Sequence, residues 1–375
     1  MSHNNIIASP YYDILPNERI GNQRAMERKY GLDILRIALA LFVFFFHSRV
    51  HIRCEYGVLN YFFDLPNLGM IGFFMLSGYV LETSYEGKEL IRPSKLKEFF
   101  LKRLISIYPL YLIIGSLSVA MLIIAGKQTL IDNIMLLPVE LLGVQSFFDG
   151  ALFTYSHNSG TWFISCILIC YFCFPFLKEI IKALKTQTAF WMTLGLIVLL
   201  IYLQWLPSRY DCGVLYTNPI FRILEFTLGM LISKINIEFN EESRMISIAR
   251  SRPSLFISII ILVVGCSVCC FRNIDSFFII YPCMALILIS LGNMSLNLKP
   301  KVKRIVLYAS SLTYAVFLSQ CFVWNPTKFL LLHVGDLSNG VKIAGTFLAC
   351  MVFSVIFHEI VEVRLGNFLK KRIVS

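Results

Sequence analysis

The chain has 375 residues, of which 57% are hydrophobic, and a mean hydropathy of +0.70. That apolar share excludes an ordinary water-soluble enzyme and points to a single polytopic membrane domain. A formal net charge of +11 would suit a nucleic-acid binder in a soluble protein, but here Lys and Arg gather in short tracts between apolar runs. That is a topology signal, and it excludes nucleic acid as a partner.

Residues 1–30 read as a polar cytoplasmic tail with no cleavable leader. Ten apolar runs follow, each long enough to cross a hydrocarbon core of about 30 Å: 33–50, 68–86, 104–125, 161–178, 190–207, 219–233, 254–271, 275–292, 305–324 and 342–363. About 25 of the 34 Lys and Arg fall in one alternate set of tails and loops, which places that set, and both termini, in the cytoplasm. The longest outer loop, 128–160, contains IMLLPVELLGV, too short to span and expected at the interface or folded back. A transmembrane domain over 31–366 and a basic cytoplasmic tail over 367–375 complete the layout. No internal repeat and no second soluble domain is visible. Most of the eleven cysteines lie inside apolar runs, where Cys acts as a small hydrophobe, so no metal is assigned. Cys54 and Cys212 fall in loops expected outside, where a disulfide could persist.

The first span contains RIALALFVFFFH, residues 36–47. Arg36 and His47 are three turns plus roughly 20° apart and about 16 Å apart along the helix, so they share a face. Arg36 lies near the cytoplasmic entry, where it either snorkels to headgroups or holds an anion. His47 lies past the midplane, where ionisable groups face a polar cavity or a partner. Acyl transfer to a hydroxyl suits the pair: a neutral imidazole takes the hydroxyl proton, and a guanidinium nearer the cytosol holds the phosphates of coenzyme A.

Further polar residues lie in later spans. Ser77 and Gly78 are read first as packing residues and Ser77 also as a cavity-lining candidate. Arg222 and Glu225, three apart, form either a structural brace or part of the cavity wall, with Glu225 placed to orient His47. Tyr314 and Gln320 are interhelical hydrogen-bonding groups and cavity candidates. Trp162, Trp191, Trp205 and Trp324 are expected as interface anchors. His51, His157 and His333 are expected to be solvated outside, with His157 the one to test as an acceptor contact. His358 and Glu359 are expected to be solvated at the inner boundary, and Glu362 to contact a basic loop.

The stretch GLDILRIALALFVFFFH resembles the first-span signature of the acyltransferase-3 family of membrane O-acyltransferases, a basic residue, ten intervening residues and a histidine. LGMIGFFMLSGYVL, FFLKRLISIYPLY, NPIFRILEFTLGMLIS, SSLTYAVFLSQ and FHEIVEVRLGNFLKKR resemble later family segments in order. The resemblance implies His47 as catalytic base, Arg36 as a donor-positioning residue and Arg103 as a second donor-side residue. It also implies a bacterial inner-membrane enzyme moving an acyl group, acetyl by expectation, from cytoplasmic acyl-CoA to a hydroxyl of a surface polysaccharide such as lipopolysaccharide or its lipid-linked precursor. Ser106, Gln320 and Ile167 stand where many members carry Arg, His and Glu, which implies a divergent subgroup with its own acceptor.

The expected fold is therefore an all-α polytopic protein of about ten transmembrane helices around a polar cavity, with acyl-CoA, a glycan acceptor and membrane lipids as partners and no permanently bound cofactor. A secondary transporter of a small polar or anionic solute is the alternative. Such proteins often carry inverted repeats and paired broken helices, which this sequence does not display.

Overall fold

The computed structural model describes residues 28–126, 129–148, 161–210, 216–239, 244–334 and 337–373. Among these residues all regular structure is helical, as the sequence predicts. The elements are α1 (Tyr30–Ile52), the single turn α2 (Asn60–Phe63), α3 (Pro66–Ser84), α4 (Pro93–Ile124), α5 (Leu130–Leu141), α6 (Thr161–Ala183), α7 (Thr186–Tyr210) and α8 (Pro219–Glu238). They continue with α9 (Arg244–Ala249), α10 (Arg252–Ile260) running through a π-helical stretch into α11 (Cys266–Phe271), α12 (Phe277–Asn293), α13 (Pro300–Val334) and α14 (Asn339–Phe357). A second π-helical stretch, His358–Leu365, joins α14 to α15 (Gly366–Ile373).

Local chemistry sets the helix ends. Proline opens α3, α4 and α8, where its missing N–H costs nothing. The Asn218 side chain caps α8 by accepting from the Ile220 N–H at 2.9 Å. Thr129 and Asp132 form a capping box on α5. The left-handed Arg53, at φ 52°, ends α1.

Each of the ten predicted spans coincides with a helix. Six are long and apolar enough to cross a membrane by that measure alone: α1, α4, α6, α7, the α10–α11 rod and the α14–α15 rod. The expectation of ten is thus met in full only at the level of helices. Of the remaining four, α12 has 17 residues, and α3 and α8 are interior helices. Fourteen residues of α3 and fourteen of α8 are buried, and α8 carries Arg222, Glu225 and Lys234 among them. A helix surrounded by other helices needs no uniformly apolar surface.

The closest helix crossing lies between α3 and α8. A Cβ on Gly78 would sit 1.9 Å from the Phe226 carbonyl oxygen, and one on Gly229 would sit 1.9 Å from that of Met75. Backbone thus meets backbone, which only glycine permits. The packing reading of Gly78 is correct.

A second seam joins α1 to α13. Ser310 Oγ donates to Asp33 at 2.9 Å near the start of both helices. Phe44 packs on Trp324 with ring centroids 5.2 Å apart near their other ends. The two helices therefore run parallel. On the far side of α13, Ser319 and Ser354 share a 2.7 Å hydrogen bond with α14. Helix α5 folds back on α4, where Tyr111 donates to the Glu140 carbonyl at 2.7 Å. Its Leu130, Ile131, Ile134 and Met135 stay exposed, as a short interfacial helix requires.

Gly229→Ala is expected to destabilise the protein by about 3 kcal/mol, the upper range for overpacking of an interior. A thermal melt of the detergent-solubilised variant beside Gly195→Ala, where an added Cβ meets open space, measures this directly.

Candidate active site

Arg36 lies in the first turns of α1, inside a polar layer shared with α13. Its guanidinium donates to Ser310 Oγ at 3.4 Å and stands 4.0 Å from Asp33, while Arg28 grips the same carboxylate with two bonds of 2.9 Å. Asp33 is thus saturated by Arg28 and Ser310, and Arg36 keeps about a quarter of its side-chain surface open. Arg103 of α4 differs in kind. It is buried without an ion pair among the described residues, its Nε has no hydrogen-bond partner, and its guanidinium lies 5.3–5.9 Å from the ring centres of Tyr85, Phe99 and Tyr171. Ring faces favour a cation without neutralising it, so the charge stays available to an anion. Tyr171 lies within electrostatic reach of both Arg36 and Arg103, which ties the two arginines to one region of the bundle.

Three turns further along α1, His47 is partly buried. Its Nδ1 is enclosed and has no hydrogen-bond partner, which leaves Nε2 as the nitrogen with open surface. Its ring stacks on that of His51 at 5.5 Å and 24°, and His51 in turn stacks on Trp324 at 6.0 Å and 18°. Two expectations are corrected here. His51 is not a solvated loop residue: α1 extends to Ile52, two residues beyond the apolar run, and carries His51 into the stack. Trp324 is 1% exposed and Trp162 6% exposed, so both pack inside, whereas Trp191 and Trp205 are exposed as interface anchors would be.

Glu225 does not reach His47. One carboxylate oxygen accepts from Arg222 at 2.6 Å and the other from the Tyr281 hydroxyl at 2.8 Å. Arg222 also donates twice to the Tyr216 carbonyl, at 3.0 and 2.6 Å, and lies over the rings of Phe74, Trp162 and Tyr216. Both residues are fully buried. The orienting role expected for Glu225 is therefore replaced by the brace reading: both oxygens are engaged, and the pair fastens α8 to α12 and to the turn before α8.

Ser77 is partly open and makes no hydrogen bond among the described residues. The Tyr314 hydroxyl donates to the Ile107 carbonyl at 2.9 Å and so fastens α13 to α4. Gln320 is 1% exposed, and neither its amide nitrogen nor its oxygen has a partner.

A sequence profile of the acyltransferase domain family matches residues 29–359. The chain belongs to the acyltransferase-3 family. It is 25% identical over 221 residues to the acyltransferase MdmB of Streptomyces mycarofaciens, an alignment covering 54% of this chain and 56% of that relative. The chain thus spans little more than half the length of that protein. No solved structure matches. The fold sets Arg36 and His47 on α1 and Arg103 on α4.

The acyltransferase-3 fold also holds polar pairs that sequence reasoning misplaced or missed. His358 is 1% exposed, bonded through Nδ1 to Glu362 at 2.5 Å and through Nε2 to Ser311 at 3.2 Å. The expectation of boundary solvation fails for His358, and Glu362 meets this histidine instead of a basic loop. The π-helical stretch packs on α13 and α4, so the end of the last span is covered by protein. The spacing of four between His358 and Glu362 was the signal available. Lys178 and Glu82 meet at 3.3 Å across α6 and α3, both buried, with no local signal at all. Cys54 is a free, buried thiol. Cys212 and His157 lie outside the described residues. The cleft of about 250 Å³ between α4 and α5 touches none of the predicted site residues.

Breaking a buried ion pair by removing one partner strands the other charge. Glu225→Gln and Arg222→Met are each expected to cost about 3–5 kcal/mol, while replacing both by Met recovers most of the loss. Melting temperatures of the three variants test this, and additive losses would contradict it.

Proposed function

We propose that this acyltransferase-3 member is a multi-pass enzyme of the bacterial inner membrane that transfers an acyl group, acetyl by preference, from cytoplasmic acyl-CoA to a hydroxyl of a surface polysaccharide or its lipid-linked precursor. The observation that carries the reading is His47: a partly buried imidazole with Nε2 open, on the same α1 face as Arg36 and three turns from it.

In this mechanism the acceptor O–H gives its proton to His47 Nε2 as the oxygen attacks the thioester carbonyl. The new C–O bond forms, the C–S bond breaks, and the departing thiolate takes the proton from Nε2, which restores the neutral imidazole. Arg36 and Arg103 hold the phosphates of the donor. The first has exposed surface beside a saturated Asp33, and the second is an unneutralised cation among aromatic rings. Placing Arg36 and the base on opposite halves of α1 suits a long, linear donor that enters from the side of the basic loops. Family membership favours group transfer over the transport reading.

His47→Ala is expected to abolish acyl-CoA-dependent modification at unchanged membrane level. Mass spectrometry of surface glycans, with the gene present, deleted or carrying His47→Ala, reads both the acyl group and its acceptor. Retained modification in the variant would sink the mechanism. Arg36→Gln is expected to raise the KM for acetyl-CoA about tenfold, the loss of one charge-assisted hydrogen bond, with a smaller change in kcat.

A further inference from the structure

His47 acts as a base through Nε2 only if its proton sits on Nδ1, and something must hold that N–H. No carboxylate does so among the described residues: Glu225 is engaged elsewhere, and Nδ1 is enclosed and unpartnered. The titratable group stacked on His47 is His51, on which Lys328 of α13 bears in turn. Neither offers an anion.

Across the α1–α13 seam stand two more enclosed polar groups without partners, the complete side-chain amide of Gln320 and the Trp324 indole N–H. The register of the seam sets them level with the imidazoles. Asp33 meets Ser310 near one end, and His51 stacks on Trp324 near the other. One turn back from that stack, four residues on each helix, lie His47 on α1 and Gln320 on α13. Gln320 and Trp324 share a face of α13, as His47 and His51 share a face of α1.

Hydrogen-bond counting then admits one arrangement that keeps His47 Nε2 free to act as the base. The seam holds two unpartnered ring nitrogens, Trp324 Nε1, always a donor, and His47 Nδ1, a donor in the tautomer the mechanism needs, and the unpartnered amide of Gln320, whose Oε1 has two lone pairs. All three are shut off from solvent, so bulk water cannot serve them, and buried polar groups demand partners. We propose that Gln320 is the positioning residue of His47: its Oε1 accepts the Nδ1–H, with Trp324 Nε1–H as the second donor to the same oxygen. The site closes to this bonded form as the acyl donor binds, since catalytic hydrogen bonds are often long in the empty enzyme and tighten in the complex. The amide fixes the tautomer that leaves Nε2 as the base and favours the imidazolium formed during attack. A neutral amide does this without placing a second charge in the bundle. The inference rests on the proposed role of His47 and adds to it the group that holds the base.

The test uses the full chain in native membrane vesicles that contain the acceptor glycan, with acetyl-CoA as donor and release of the free thiol as readout. Gln320→Leu is expected to lower kcat about 10²-fold, the cost of a misaligned catalytic group, with the KM for acetyl-CoA unchanged and the melting temperature unchanged or higher, because an orphan amide is removed. Gln320→Glu restores activity and moves the acid limb of the kcat/KM profile to higher pH, since a carboxylate at Nδ1 favours the charged imidazole. Trp324→Phe keeps the ring, loses the donor and costs less than Gln320→Leu. A Gln320→Leu enzyme within twofold of the parent overturns the proposal. If that variant fails to fold, an unshifted acid limb in Gln320→Glu overturns it instead. Full activity in His47→Ala would remove the underlying reading, and that result is distinct from either outcome at Gln320.

Discussion

Hydrocarbon offers no partner to a charge or a hydrogen-bonding group, so each polar side chain inside such a bundle must be matched by another. The polar interior follows from that constraint. Among the described residues, the buried Asp33, Glu82, Lys178, Arg222, Glu225, Lys234, His358 and Glu362 all stand in ion pairs. Arg103 alone of the buried charges has none, and three aromatic rings surround it. These pairs cross between helices or lock one turn, and together they select a single arrangement of rods that apolar packing alone would leave nearly degenerate.

The outline of this arrangement is legible in the sequence because it depends on local quantities. Run length gives helix positions. The basic residue, ten-residue gap and histidine of α1 set both groups on one face by helical arithmetic alone. Gly78 was visible as a residue that permits close approach, and Gly229 is its counterpart on α8. Their shared contact was not visible, because neither helix encodes which other helix it meets.

What escaped the sequence reading has one physical source. Hydropathy windows describe a helix by its own composition, whereas burial depends on its neighbours. Helices α3 and α8 therefore fall outside the membrane-crossing measure while forming the centre of the packing. The same blindness put Trp324 and His358 at boundaries, although α1 covers the first and α13 the second. The pairing of Lys178 with Glu82, 96 residues apart in the chain, is a fact of tertiary contact with no local correlate. Glu225 shows the converse error. A carboxylate at the right depth looked available to His47, yet an arginine one turn away on its own helix had first claim, and burial makes that claim nearly complete.

The two ends of the α1–α13 seam differ in how their polar groups are matched. At one end Arg28, Arg36, Asp33 and Ser310 form one connected layer. At its other end His47, Gln320 and Trp324 hold polar atoms with no partner. A seam that is only structural has no reason to differ between its two ends, since an apolar side chain of similar volume at position 320 would pack as well and carry no desolvation cost. Unmatched groups are what a site for chemistry requires, because a group already saturated cannot exchange a proton or hold a tautomer at the moment of reaction. The asymmetry of the seam, more than any one residue on it, is what the proposed roles of His47 and Gln320 rest on.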